Sequence, residues 1–271
     1  MSDMLKRSLA PVTDEAWAEI ENTAKQTLKP LLSARKLVDF KGPKGWDYAA
    51  VNLGRLDMPK KPGQKGVGYG IRKVLPLLEA RVMFTLRIWE LDNVARGAAD
   101  PDLGPLEEAA KEIALFEERA IYAGFKEGHI DGIIPTASQK AVVLPADVNG
   151  YAKAVAQGID AMQADGIGGP YALVLGAAPY QAVLQAVGPG YPIRRGLERL
   201  LEGDGVIMRS RALDGGVLLS TRGGDFEMTV GTDLSIGYSS HDSEMVNLFL
   251  TESFTFRVIQ PAAAVELRLG K

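Results

Sequence analysis

The sequence contains no cysteine and only two histidines, His129 and His241, among its 271 residues. Without cysteine the chain has no disulfide, no thiolate zinc site, no iron–sulfur cluster and no cysteine nucleophile. A metal site that needs three histidines cannot be built from one copy of this chain. These absences exclude the commonest metal centres and several classes of nucleophilic enzyme.

Long apolar runs and an excess of one charge are also missing. The longest apolar runs, such as Tyr171 to Ala178, are far shorter than the roughly 18 residues that suggest a membrane span, and the first residues lack the apolar core of a secretory signal. Lysine and arginine number 31 against 34 acidic residues, a balance that gives no general attraction to nucleic acid or anionic membrane. We therefore expect a cytoplasmic protein with neither as a partner.

What is present is typical of a folded chain, since 46% of the residues are hydrophobic and 24% are charged. Apolar residues at helical spacing predict a helix near Thr13 to Leu32, with Thr13 as its cap and Pro30 as a kink or an end. A second and longer helix is predicted from Gly104 to Gly124.

Strand patterns surround these helices. Ala49 to Met58 and Val67 to Leu78 predict a long hairpin whose joint, residues 59–65, is rich in proline, glycine and lysine. Alternating residues from Ala80 to Trp89 predict another strand. From Pro135 to Thr221 helices and strands alternate as in a small α/β domain, and four short strands are predicted beyond it at Phe226 to Val230, Leu234 to Tyr238, Val246 to Leu250 and Phe254 to Ile259.

No catalytic pattern emerges from the sequence. The glycine-rich stretches at 66–70 and 166–170 lack the spacing of a dinucleotide fingerprint, and Ser235 lacks the first glycine of a nucleophile elbow. We expect Glu107-Glu108 and Glu117-Glu118 to lie on a solvated face of the long helix, since neighbouring helical residues do not face one another. The prediction is a structural or binding protein rather than an enzyme, with no catalytic or metal-ligating residue.

The whole chain resembles the encapsulins, the shell proteins of bacterial and archaeal nanocompartments. The ordered stretches that carry the resemblance are LKRSLAP at 5–11, GPKGWDYAA at 42–50, FTLRIWELDN at 84–93, RGGDF at 222–226, GTDLSIGY at 231–238 and TESFTFRV at 251–258. The resemblance implies an α+β chain with the tailed-phage major capsid protein fold (Hong-Kong-ninety-seven type).

The resemblance also implies a division of the chain. Residues 1–46 would form the N-terminal helix and the start of a peripheral domain, 47–78 an extended loop that lies on a neighbouring subunit, and 79–134 the peripheral domain with its spine helix. Residues 135–221 would form an axial domain that points at a symmetry axis, and 222–271 would return to the peripheral domain.

In function, the resemblance implies a homo-oligomeric icosahedral shell that encloses enzymes bearing a C-terminal targeting peptide. Cargo of this family is typically a dye-decolourising peroxidase, a ferritin-like or a hemerythrin-like protein, so a role in iron storage or oxidative stress would depend on the cargo. The shell itself would need no cofactor, although a flavin stacked on Trp89 or Tyr191 is a possible ligand.

Two sites follow from the resemblance. The targeting peptide would bind between the N-terminal helix and the peripheral domain, at Leu28, Leu32, Arg35, Asp39, Leu234, Ile236 and Tyr238. The loop that borders the fivefold pore would be Gly188, Pro189, Gly190, Tyr191 and Pro192. Small solutes would enter through such pores.

Three other interpretations stay open at this level. A phage or defective prophage capsid protein would share the fold. An α/β enzyme with a site between Pro135 and Thr221 would be a small soluble monomer, and a small-ligand binder would use an exposed aromatic ring such as that of Trp89.

Overall fold

The computed structural model describes residues 4–58, 67–188 and 191–270. Its helices are α1 (Asp14–Leu28), α2 (Ile88–Ala95), α3 (Gly104–Tyr122), α4 (Ile133–Thr136), α5 (Tyr151–Ala164), α6 (Ala177–Gln185) and α7 (Ile193–Leu200). Its strands are β1 (Asp39–Lys41), β2 (Ala50–Asp57), β3 (Ile71–Pro76), β4 (Leu78–Arg87), β5 (Val142–Leu144), β6 (Tyr171–Leu175), β7 (Val187–Gly188), β8 (Tyr191–Pro192), β9 (Val206–Arg209), β10 (Gly216–Ser220), β11 (Phe226–Val230), β12 (Ser235–His241), β13 (Met245–Val258) and β14 (Ala264–Leu269).

Helix α1 begins where its sequence predicts. The Thr13 hydroxyl accepts a hydrogen bond from the Ala16 backbone N–H at 3.3 Å, and Asp14 and Glu15 occupy the first turn, where carboxylates complement the helix dipole. The helix ends at Leu28, because Pro30 cannot donate the next helical hydrogen bond. Its buried face packs on α3 and on the sheet below it.

Helix α3 is the long helix that the sequence predicts, with Pro105 in its first turn. It ends before Gly124, whose φ of 89° is a left-handed conformation that favours glycine. The Cβ of an alanine at Gly124 would lie 2.6 Å from the carbonyl oxygen of Asp131. The chain therefore turns away from α3 at a point where no side chain fits.

The first sheet is built around the 14-residue strand β13, which pairs with β4, β11 and β12, while β1 pairs with β11. The prediction of two separate strands at Val246 to Leu250 and Phe254 to Ile259 was wrong, because Glu252 and Ser253 continue the strand opposite β4. The predicted strand through Trp89 also ends early, since helix α2 begins at Ile88.

The second sheet has the order β5-β14-β10-β6-β9, and helices α5, α6 and α7 pack against it or one another. Strands β6 and β10 are buried at every residue, as expected for central strands covered on both faces. The last strand, β14, pairs with β10 and β5. Residues 222–271 therefore do not return as one piece to the first sheet, because β14 completes the hydrogen bonding of the second.

Two hairpins extend from these layers. Within the described residues, β2 and β3 pair only with each other, and their joint lies outside those residues apart from Met58 and 67–70. The predicted long hairpin is thus present, with apolar side chains left exposed along it: Leu56, Met58, Val67, Tyr69, Ile71 and Val74. A smaller hairpin joins β7 to β8 beside α7.

Two glycines at helix ends make a matched test of this geometry. We expect Gly124→Ala to lower the unfolding temperature clearly more than Gly97→Ala does. Gly97 also has a left-handed φ, of 95°, but a Cβ added there would have no atom within 4 Å, so its substitution bears only the conformational cost of about 1 kcal/mol. Thermal unfolding at matched protein concentration measures both, and equal losses would contradict the close approach at Asp131.

Candidate functional site

A groove of about 490 Å³ lies between helix α1 and the start of strand β12. Its apolar lining comes from both elements, from β13 and from the N-terminal segment: Leu5, Ala24, Leu28, Leu32, Leu234, Ile236 and Leu250. Ser235 and charged side chains complete it: Arg7, Glu21, Lys25, Lys29, Arg35 and Asp233. The groove is therefore an apolar channel with a charged rim.

The structure brings five of the seven residues predicted for peptide binding into this groove: Leu28, Leu32, Arg35, Leu234 and Ile236. Asp39 and Tyr238 do not line it. The Asp39 carboxylate accepts a hydrogen bond from the Gly224 backbone N–H at 2.7 Å, in a separate cavity beside β11. The Tyr238 hydroxyl lies 2.6 Å from Nδ1 of His241, further along β12.

The groove floor is also part of the core. Leu28, Leu32 and Ile236 are buried and pack in one cluster with α3 and β13, whereas Leu234 is half-buried at its edge. Core closure and peptide binding are alternative roles for these leucines when only the sequence is considered. In the structure they line the groove and close the core at the same time, so the half-buried Leu234 is the better position for probing the groove alone.

Arg35 closes one end of the groove by binding three carboxylates. Its Nε donates to both oxygens of Glu117 at 2.9 and 2.7 Å, its Nη1 to Asp233 at 2.5 Å and its Nη2 to Glu252 at 2.7 Å. We call these four side chains the Arg35 cluster. It ties the turn after α1 to helix α3, to the loop before β12 and to strand β13.

Burial and the neighbouring charges together set the protonation of Arg35 and Glu252. Burial disfavours the charged guanidinium of Arg35, but the hydrogen bond and the charge of Glu117 outweigh it and raise its pKa, so Arg35 stays charged. Burial, followed by the charge of Glu117, raises the pKa of Glu252 well above its usual range. One oxygen of Glu252, Oε1, is buried without a hydrogen-bond partner.

The carboxylates of α3 contradict the prediction of a solvated face. Glu117 and Glu118 are 0% and 2% exposed, whereas Glu108 is exposed as predicted. Glu118 accepts hydrogen bonds from the Ser33 and Ser210 hydroxyls and from the Ala34 backbone N–H, at 2.5, 2.7 and 2.7 Å. These partners are distant in sequence, so no local pattern signals them.

The rim of the groove is basic on the α1 side. Arg7 pairs with Glu21 at 2.5 Å and lies over the Trp17 ring at 4.1 Å. Lys25 and Lys29 are exposed one helical turn apart, and neither has a salt-bridge partner among the residues that the structure describes. The groove can therefore hold an apolar segment whose polar groups lie near two lysines.

The remaining predicted residues are scattered. Trp89 is 72% exposed on α2 rather than on a strand, and its stacking on a flavin stays a prediction. In the predicted pore loop, Gly188 ends β7 and Tyr191 and Pro192 form β8, whereas Pro189 and Gly190 lie outside the described residues.

Metal-ligating clusters and membrane-spanning helices are both absent from the described residues. No three His, Asp or Glu side chains among them are grouped so that they could hold a metal ion. In the same part of the chain, no helix has the length and apolar character needed to cross a membrane.

Solved structures place the fold among capsid shells. A virus-like particle of Pyrococcus furiosus matches with a TM-score of 0.65 at 14% identity, covering 92% of this chain and 98% of that one. The structure of Microbacterium phage Oxtober96 matches with a TM-score of 0.58 at 12% identity, covering 88% and 91%. The chain has the tailed-phage major capsid protein fold.

Sequence relatives define the family within that fold. The family model described as an encapsulating protein for peroxidase matches residues 1–255. A Type 1 encapsulin shell protein of Rhodospirillum rubrum is 46% identical over an alignment of 275 positions, which covers 99% of this chain and 97% of the relative. The chain belongs to the encapsulin shell protein family.

The raised pKa of Glu252 predicts that the stability of the folded chain depends on pH. The substitution Glu252→Gln should make this dependence weaker. Because the folded-state pKa of Glu252 is raised, the folded chain keeps a proton that the unfolded chain loses at about pH 4.3. The stability that this proton contributes is present below that pH and is lost as the pH rises towards the folded-state pKa. Glutamine still accepts from Arg35 but does not titrate.

We expect the unfolding temperature of the parent to fall more steeply with rising pH than that of Glu252→Gln, above about pH 4.3, where the unfolded chain has lost its proton. The control is Glu108→Gln, whose exposed carboxylate is paired with Lys111 on the outside of α3, and which should follow the parent. Parallel curves for the parent and Glu252→Gln would contradict a buried titration at this site.

Proposed function

We propose that this chain is the subunit of a closed icosahedral shell that encloses cargo enzymes in the cytoplasm. The observation that carries the proposal is full-length membership of the encapsulin shell protein family, combined with a capsid fold. In this role the subunit is structural, and the enclosed enzyme supplies the chemistry.

The β2–β3 hairpin supports assembly. A two-stranded ribbon is marginally stable alone in water, and this one exposes apolar side chains on one face, among them Leu56 and Val74, at 56% and 52% exposure. When a second surface covers such a row of apolar groups, their area is removed from water, and this burial stabilises the contact. The neighbouring subunit is that surface in our proposal, and repetition of this contact under symmetry closes the shell.

Cargo docks in the α1–β12 groove in our proposal. The groove offers an apolar floor, a charged end at Arg35 and a volume of about 490 Å³. A short apolar motif at the C-terminus of a peroxidase, a ferritin-like or a hemerythrin-like protein would fit this lining. We further propose that small solutes reach the cargo through pores between subunits, near the β7–β8 hairpin.

A capsid protein of a phage or prophage is the second candidate for this fold. The molecules enclosed in purified shells distinguish an encapsulin shell from a viral capsid. Shells purified from the native source hold a cargo enzyme if our proposal is right. The same shells hold nucleic acid, or nothing, if the chain is a viral capsid subunit.

Assembly should depend on the exposed apolar residues of the hairpin. We expect the parent to form hollow particles of megadalton mass without cargo, and Leu56→Ser to shift subunits towards small oligomers, because the substitution removes apolar area from a subunit contact. Arg55→Ser, at the neighbouring exposed position, is the control and should leave assembly intact. Electron microscopy and light scattering measure both, and small oligomers of the parent at neutral pH would contradict the proposal.

Cargo loading should depend on Leu234. We expect Leu234→Asp to reduce the cargo retained per shell about tenfold or more, since an apolar segment would then bury an unpaired carboxylate. Leu31→Asp is the control, because Leu31 is equally half-buried but lines a different cavity, beside α3.

The measurement is the ratio of cargo to shell protein in purified particles, by quantitative mass spectrometry. Particle size in the two variants verifies that shells still form. Equal loading of the parent and Leu234→Asp would place cargo docking elsewhere on the subunit.

A further inference from the structure

Strand β12 has an open edge beside the groove. Among the described residues, β13 is the only strand that pairs with β12, with Ile236 opposite Leu250 and Tyr238 opposite Leu248. The backbone N–H of Tyr238 does not point to β13, because it donates to the carbonyl oxygen of Leu5 at 2.8 Å. The N-terminal segment therefore already hydrogen-bonds to one point of this edge.

The main-chain direction of Tyr238 also fixes that of Ile236, two residues earlier in the strand. In an antiparallel pair, successive residues direct their main-chain groups alternately to the partner strand and away from it. Since the main chain of Tyr238 faces the open edge, that of Ile236 faces it too. Ile236 and Leu5 both line the groove, so an N–H and a C=O without a strand partner among the described residues border the groove.

The neighbouring position along the edge is occupied. The backbone N–H of Leu234 donates to the side chain of Asp233 at 2.8 Å, and Asp233 is in turn held by Arg35. The open hydrogen-bonding positions thus lie at Ile236, between the bond to Leu5 on one side and the Arg35 cluster on the other. This stretch is one residue long, and an extended main chain can supply both the C=O and the N–H that match it.

We propose that the cargo segment docks as an added β-strand along the edge of β12, exchanging main-chain hydrogen bonds with Ile236. This inference rests on the cargo docking proposed above and states its mode. The segment is an extended peptide with apolar side chains at alternate positions. Side chains on the Ile236 side of the strand enter the groove towards Leu28 and Leu32, and the side chains between them face away.

In strand addition, the main-chain hydrogen bonds and the groove have different roles. The main-chain bonds set direction and register without reading sequence, whereas the groove reads apolar side chains at every second position. The peptide residue opposite Ile236 directs both its side chain into the groove and its N–H towards β12. Its neighbours direct their N–H groups to solvent.

The test uses a labelled synthetic peptide, acetyl-Ser-Leu-Ser-Leu-Ser-Leu-Ser-amide, present while shells are dissociated and reassembled. Two further peptides carry one N-methyl group each, on the central leucine or on the serine beside it. We expect methylation of the leucine to lower the retained peptide about tenfold and methylation of the serine to change it less than about twofold. Fluorescence per subunit, after removal of free peptide, measures retention.

A pair of protein variants tests the same bond from the other side. Ile236→Pro removes the edge N–H and the buried side chain, whereas Ile236→Ala shortens the side chain and keeps the N–H. Proline is tolerated on an edge strand where the N–H has no ladder partner. We expect the proline variant to load about tenfold less native cargo than the alanine variant, in particles of the same size.

The outcomes separate this inference from the proposed function. Equal retention of the two methylated peptides, or equal loading by Ile236→Pro and Ile236→Ala, overturns strand addition and leaves docking in the groove intact. Failure of the unmethylated peptide to bind shells that do load native cargo overturns the alternate apolar pattern. Absence of native cargo from parent shells overturns the proposed function itself.

Discussion

The binding of Arg35 to Glu117, Asp233 and Glu252 is the interaction on which the rest of this subunit depends. One guanidinium joins the turn after α1, the long helix α3, the loop before β12 and the central strand β13. Removal of one partner from a buried ion pair typically costs about 3–5 kcal/mol, because the other charge is left without compensation. The position of α1 over the sheet, and with it the width of the groove, therefore depends on this cluster.

The cluster also explains why the sequence predicted some elements and not others. Periodic apolar residues define α1 and α3, and β11 lies at the predicted residues, because these elements follow local rules of spacing and capping. The sequence pattern placed Glu252 between two separate strands, and it predicted that Glu117 and Glu118 lie on a solvated face of α3. Each is buried because of partners up to 217 residues away, and such pairing leaves no local trace.

The groove was partly predictable for a different reason. The family resemblance named seven residues, of which five line one cavity. Leu32 follows the end of α1 but its N–H still donates to the carbonyl oxygen of Leu28 at 3.2 Å, and Leu234 precedes β12 by one residue, so the helical and strand periods hold just beyond both elements. The roles of Lys25, Lys29 and Leu5 were missed, because a lysine on a polar helix face and a leucine in an irregular segment have no distinguishing pattern. The open edge of β12 is a property of the sheet and could not be read from the sequence.

The long β2–β3 hairpin has a consequence for the newly made chain in the cell. If a neighbouring subunit covers the hairpin as proposed, each free subunit presents a two-stranded ribbon with a row of apolar side chains, which is the kind of surface that nucleates aggregation. Shell closure and aggregation thus compete for the same monomer. In the proposed shell, rapid capture of subunits by a growing particle would keep the concentration of free subunits low and so limit their aggregation.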